Sequence, residues 1–131
     1  MRLRPQPGPF RMNLGKRGEI FAWNFLIQKG YKILEKNYRC KLGEVDVIAK
    51  KQGRLIFIEV KTRKSNHCGS PEEAVHAWKQ KKIAQVAAWY LKSKKIYDPP
   101  IAFEVVAIDW IDGEEPRVRL IQEAFDIDGM R

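Results

Sequence analysis

Glu44-Val45-Asp46-Val47-Ile48-Ala49-Lys50-Lys51-Gln52-Gly53-Arg54-Leu55-Ile56-Phe57-Ile58-Glu59-Val60-Lys61-Thr62 is the stretch whose reading settles the fold. Two runs rich in β-branched and aromatic residues flank a turn-like Lys-Lys-Gln-Gly, which is the pattern of a β-hairpin. A two-residue loop at Gln52-Gly53 pairs Lys51 with Arg54. Counting outward from that pair sets Asp46 directly opposite Glu59 on a shared face, where Cβ atoms lie about 4.5–5.5 Å apart. The second run is apolar on both faces until Glu59, as in a central strand covered on each side. Its two charges, Glu59 and Lys61, emerge where the strand ends.

Outward from the hairpin, Asn13 can cap a helix running to about Lys29, with Ile20, Trp23 and Ile27 on a wide apolar face and Gly30 as the stop. Glu19 lies in its first turn, at the edge of the buried face. Tyr31–Tyr38 is a further strand. Beyond the hairpin, Ser70-Pro71-Glu72-Glu73 is a helix start with N-cap, first-position proline and capping-box acid. This helix is expected to reach about Ser93, with Val75, Trp78, Ile83, Val86, Ala87, Tyr90 and Leu91 facing the core. Asp98-Pro99-Pro100 breaks the chain, Ile101–Asp109 is a buried strand, and Val118–Gln122 follows the Asp112-Gly113 turn as an edge strand. The order of helix, three strands, helix and two strands predicts an α/β sandwich, a mixed central β-sheet flanked by helices. Residues 1–12, with three prolines, read as a flexible basic arm ahead of a single domain over residues 13–131.

With 131 residues, 44% of them hydrophobic and 31% charged, the chain can bury a core of its own without disulfides or metals. No apolar run has the length of a membrane span and the basic start lacks the apolar stretch of a secretory signal, so a cytosolic protein is expected. Cys40 and Cys68 stand far apart, and His67-Cys68 supplies two of the four ligands a structural zinc needs. These are expected to be ordinary loop residues.

Charge is uneven along the chain. Before Asp98 there are 22 Lys/Arg against 7 Asp/Glu, and from Asp98 onward 3 against 9. Basic residues cluster at Arg2, Arg4 and Arg11, Lys16 and Arg17, Arg39 and Lys41, Arg63 and Lys64, and Lys79 to Lys82. Such clustering is the electrostatic footprint of a polyphosphate binder, and a solvated basic surface without a partner is its bland alternative. Arg11, Lys16, Arg17, Arg39, Lys41, Arg63, Lys64, Lys79 and Lys82 are the expected nucleic-acid contacts.

Two carboxylates facing each other at the edge of an apolar core are unfavourable alone, because proximity and desolvation both penalise the second charge. A divalent cation removes the conflict. Mg²⁺ is held by one or two carboxylates plus waters and phosphate oxygens, which suits Asp46 and Glu59, and Mn²⁺ is an expected substitute. Lys61 lies two residues beyond Glu59, about 7 Å along the same face. From there an ammonium can steer or help deprotonate an attacking water and stabilise charge on a phosphate. A structural ion-pair network at a strand end is the competing explanation, since an E-x-K triplet alone is common.

Gly15-x-x-Gly18-Glu19, Gly30-Tyr31-x-Ile33-Leu34-x-x-Asn37-Tyr38-Arg39, Gly43-Glu44-Val45-Asp46-Val47-Ile48-Ala49, Glu59-Val60-Lys61-Thr62-Arg63 and Gly69-Ser70-Pro71-x-Glu73-Ala74-Val75 together resemble the YraN-like family of bacterial proteins. The resemblance spans about residues 13–108. It implies the PD-(D/E)xK, restriction-endonuclease-like fold and a likeness to archaeal Holliday-junction resolvases. It implies Asp46, Glu59 and Lys61 as catalytic residues, with Glu19, Asp46, Glu59 and Val60 at the metal. Two positions depart from the family pattern: Val45 stands where a proline would precede the Asp, and Ala102-Phe103-Glu104 replaces an Arg-Phe-Asp-like triplet.

Three functions follow as expectations. The leading one is a Mg²⁺-dependent endonuclease on branched or double-stranded DNA, acting as a homodimer as resolvase-like enzymes do, away from membranes. The second is a nucleic-acid-binding protein with a nuclease-like fold and no turnover. The third is a partner in a larger complex, docking through exposed aromatics such as Trp110.

Overall fold

Each helix lies on one face of a single sheet because the central strands are apolar on both faces. The computed structural model describes residues 14–64, 77–111 and 114–124. The expected basic arm with Arg11, the Asn13 cap, the His67-Cys68 pair, the helix start at Ser70-Pro71 and the Asp112-Gly113 turn lie outside the described residues. The elements are α1 (Leu14–Gln28), β1 (Lys32–Cys40), β2 (Gly43–Lys51), β3 (Arg54–Arg63), α2 (Ala77–Ser93), β4 (Ile101–Asp109) and β5 (Arg117–Ile121). The strands lie in the order β1-β2-β3-β4-β5, antiparallel throughout except for the parallel pair β3 and β4, which α2 links. This is the expected α/β sandwich around a mixed sheet. No helix among the described residues is long and apolar enough to cross a membrane.

The hairpin forms as its sequence dictates. Lys51 pairs with Arg54, and Gln52 and Gly53 both take positive φ, at 51° and 79°, the type I′ geometry that matches the twist of the strands it joins. β3 is the middle strand. Ile56 and Ile58 pack on one face with Ala22 and Leu26 of α1, and Leu55 and Phe57 on the other with Ile83, Val86, Ala87 and Tyr90 of α2. Alternation along one strand therefore feeds two cores.

α1 stops at Gly30, whose φ of 91° lets Gly30 N–H donate to the Ile27 carbonyl and Tyr31 N–H to the Leu26 carbonyl, a Schellman close. Two apolar residues depart from expectation. Ile27 is 55% exposed and Trp78 is 65% exposed. Ile27 sits one residue past the buried Leu26, which rotates it about 100° off the core face. Among the described residues of α2 the buried ones are Ile83, Ala84, Val86, Ala87 and Tyr90, which leaves Trp78 off the packed stripe, and the expected core residue Val75 lies outside the described residues.

Gly18 fixes where α1 meets the sheet. A Cβ there would overlap the Thr62 Oγ1 and crowd its Cγ2 and Cβ. Gly18→Ala is thus expected to destabilise the protein by about 1–3 kcal/mol from overpacking, outweighing the roughly 1 kcal/mol alanine gains in helix propensity. Thermal unfolding of Gly18→Ala alone and with Thr62→Ala checks this. The double variant should recover most of the loss, and strict additivity would place the cost elsewhere.

Candidate active site

The topology gathers seven chain segments at one end of the sheet. Because β2 runs antiparallel to β1 and β3, and β3 parallel to β4, the start of β2 meets the ends of β1, β3 and β4 and the start of β5. The Gly18 contact with Thr62 brings the first turns of α1 there. Lys79 Nζ, 3.8 Å from Glu59 Oε1, brings the first described turn of α2.

At this end β2 and β3 part. Their ladder stops at Val47 and Ile58, although β2 continues beside β1 to Gly43 and β3 continues beside β4 to Arg63. In the register set by Lys51 and Arg54, Val60 would next exchange backbone hydrogen bonds with Val45. Instead Val60 N–H donates to Asp46 Oδ2 at 2.8 Å. The N–H and C=O of one strand residue face the same neighbour, so the Val60 carbonyl faces the same gap. Val45 and Ile48 both lie in the α2-side core, three residues apart, where strict alternation would separate them. The expected direct Asp46–Glu59 cross-strand pair is thereby corrected: the counting holds, but Asp46 turns toward the backbone of β3 instead of completing the ladder.

Burial pushes the Asp46 carboxyl above its usual range, and the charges of Glu19 and Glu44 push the same way against the Val60 hydrogen bond and Lys79. Glu59 is 6% exposed. Burial first, then the Asp46 charge, raise its carboxyl to about 7, against Lys79 and Lys61. Its Oε2 is buried without a hydrogen-bond partner, a costly state that a cation would relieve. Among the described residues no three His, Cys, Asp or Glu side chains form a metal-binding group. The site offers two carboxylates, one with an unsatisfied oxygen, and that is the protein complement Mg²⁺ ordinarily takes.

The model of the family described as "Uncharacterised protein family UPF0102" matches residues 18–108. The chain belongs to the UPF0102 family. It is 41% identical over 115 residues to a UPF0102 protein of Geotalea uraniireducens, covering 88% of this chain and 91% of the relative. It is 40% identical over 119 residues to one from Clostridium perfringens, covering 90% and 98%, and 44% identical over 111 residues to one from Clostridioides difficile, covering 85% and 95%. The expected resemblance to the YraN-like family is this same family.

Within the UPF0102 match, Asp46 and Lys61 lie near enough to Glu59 for their charges to act on its carboxyl, Asp46 raising it and Lys61 lowering it. Glu19 is near enough to raise Asp46, but its carboxylate pairs with Lys16 at 3.5 Å. The expected phosphate contacts fall into two groups. Lys64 and Lys82 are exposed, and Lys41 lies over the Trp89 ring at 5.0 Å. Others are already engaged: Arg39 with Glu44 at 2.8 Å, Arg17 over Trp110 at 4.9 Å, Arg63 with Asp109 at 3.0 Å, and Lys79 with Glu59. Trp110 is not an exposed docking residue: it is half-buried, edge-on to Phe21, with its Nε1 buried.

Sequence reasoning missed Asp109 and Arg119, both beyond the end of the UPF0102 match at residue 108. Asp109 is 2% exposed and binds both Arg63 and Arg119, the latter at 3.2 Å. Lys61, Ala107 and Arg119 form one row across β3, β4 and β5, and the small Ala107 separates the two cations. An acid closing a strand as apolar as Ile101–Asp109 was the available signal, because a buried carboxylate needs cations.

The raised Glu59 carboxyl makes stability depend on pH. A folded value of about 7 above the ordinary 4.5 means the fold favours the protonated acid, so this stabilisation is full below about pH 4.5 and lost as pH rises through about 7. Asp46 shifts in the same direction. Melting temperature followed against pH in EDTA should fall across that window for the wild type and less steeply for Glu59→Gln. An unchanged slope in the variant would assign the dependence to other groups.

Proposed function

We propose that this UPF0102 protein is a divalent-metal-dependent endonuclease that hydrolyses phosphodiester bonds in branched or double-stranded DNA. The observation that carries the reading is the meeting of two carboxylates, the partly buried Asp46 and the buried Glu59, in the gap where β2 and β3 part. Asp46 and Glu59 would hold Mg²⁺ or Mn²⁺, with the Val60 carbonyl facing the same gap. The bound ion supplies Lewis acidity toward a phosphoryl oxygen and an attacking water.

The chain's own residues supply the rest. Lys61, on β3 beyond Glu59, orients the water and meets the charge that develops on the phosphate. Arg119, held by the buried Asp109 carboxylate and 48% exposed, carries a guanidinium in the same row as Lys61, suited to a neighbouring phosphate of the same backbone, while Arg63 stays packed against Asp109. The exposed Lys64 and Lys82 add sequence-independent attraction. Cutting both strands of a junction requires two copies of the chain, so a homodimer on DNA belongs to the proposal.

A non-catalytic nucleic-acid binder is favoured by one feature: Glu59 and Glu19 are each paired with a lysine. Both readings predict DNA binding that weakens steeply with salt and shows little sequence preference. Cleavage separates them. Incubation of end-labelled four-way-junction and linear duplex DNA at saturating protein, with Mg²⁺, Mn²⁺ or EDTA, should give metal-dependent nicking. Binding without nicking in any of these would leave the second reading.

A further inference from the structure

Lys79 belongs to α2. Its partner lies on the sheet. Lys79 Nζ approaches Glu59 Oε1 at 3.8 Å, with side-chain exposures of 25% and 8%, while Glu59 Oε2 keeps no hydrogen-bond partner. The contact is long for a charged hydrogen bond, which runs about 2.7–2.9 Å. It neutralises the carboxylate without saturating it.

We propose that Lys79 is a displaceable internal counter-cation, which holds the Asp46–Glu59 carboxylate pair in the metal-free protein and is driven off by the divalent ion toward the incoming phosphate. The inference rests on the metal-site reading above. Burial pushes both carboxyls up, and of the surrounding cations Lys79 pulls hardest against it at each. Lys61, two residues along the same strand as Glu59, thus remains available for substrate. With Asp46 and Glu59 ionised, Lys61 and Lys79 make the metal-free site neutral. A divalent ion makes it doubly positive, so the ammonium loses its reason to stay and a phosphodiester oxygen becomes its best partner. Metal and DNA then bind cooperatively, because each favours the displaced lysine.

The test is Mn²⁺ binding to the full chain by calorimetry, with and without a non-cleavable phosphorothioate junction. Lys79→Met keeps the stem and removes the charge, Lys79→Gln serves as a second neutral variant should the first fold poorly, and Lys79→Arg keeps the charge. Lys92→Met, in the last turn of α2, is the control. Without DNA, both neutral variants should bind Mn²⁺ about tenfold tighter than wild type, whereas Lys79→Arg and Lys92→Met should not. The enhancement of Mn²⁺ affinity by DNA should shrink in the neutral variants. Equal or weaker Mn²⁺ binding by them, with wild-type binding intact, overturns the counter-cation role and leaves the metal site standing. Absence of Mn²⁺ binding in every protein removes the metal site and the counter-cation together.

Discussion

Replacement of Asp46 by Asn is expected to abolish divalent-cation binding and cleavage while leaving the metal-free protein as stable as wild type or more so. The amide keeps an oxygen able to accept from Val60 N–H, at 2.8 Å from the native carboxylate, so the strand junction retains its hydrogen bond. It removes a negative charge that raises Glu59, and relief of like-charge repulsion favours the fold at neutral pH and above. Loss of one of two metal carboxylates should lower turnover on the order of 10³-fold or more. Calorimetric Mn²⁺ binding and thermal unfolding in EDTA check the two halves. A variant less stable than wild type would identify Asp46 as the anchor of a structural ion pair.

The second large effect is expected at Lys61. If its ammonium positions water and meets charge formed in the transition state, Lys61→Ala should cut single-turnover cleavage on the order of 10²–10³-fold while DNA affinity changes little. Lys61→Arg should fall short of full rescue, because a guanidinium stays charged at working pH and cannot act as a base. Parallel measurement of the cleavage rate and Kd for the same junction checks this. Equal losses in both, with a salt slope reduced by about one, would make Lys61 one phosphate contact among many.

The fold was legible because its signals are local and repetitive. Gln52-Gly53 demanded a two-residue turn, the turn set the register, and apolar runs on both faces of Arg54–Thr62 demanded a layer on each side. Of the site, Asp46, Glu59 and Lys61 were legible by counting from that turn. The counting missed the parting of β2 and β3, because strict alternation carries no information about where a ladder ends. Trp78 was misplaced because helical periodicity marks a stripe without marking where the sheet beneath it stops. Lys79 looked like one more surface cation in a basic stretch; its pairing with Glu59 depends on how the α2 crossover lands on the sheet. The pairing of Asp109 with Arg63 and Arg119 escaped for the same reason, since the parallel register of β3 with β4 and the return of β5 are tertiary facts.

The central claim is that the gap between β2 and β3 hydrolyses DNA with a metal held by Asp46 and Glu59. Single-turnover cleavage of a labelled four-way junction at saturating protein, across a Mg²⁺ series, by wild type, Asp46→Asn and Glu59→Gln tests it most directly. The account predicts saturable Mg²⁺-dependent cleavage by wild type and none above the EDTA background by either variant at undiminished DNA affinity. Cleavage that persists in both variants, or its absence from wild type with Mg²⁺ or Mn²⁺ on every DNA structure that binds, would contradict it.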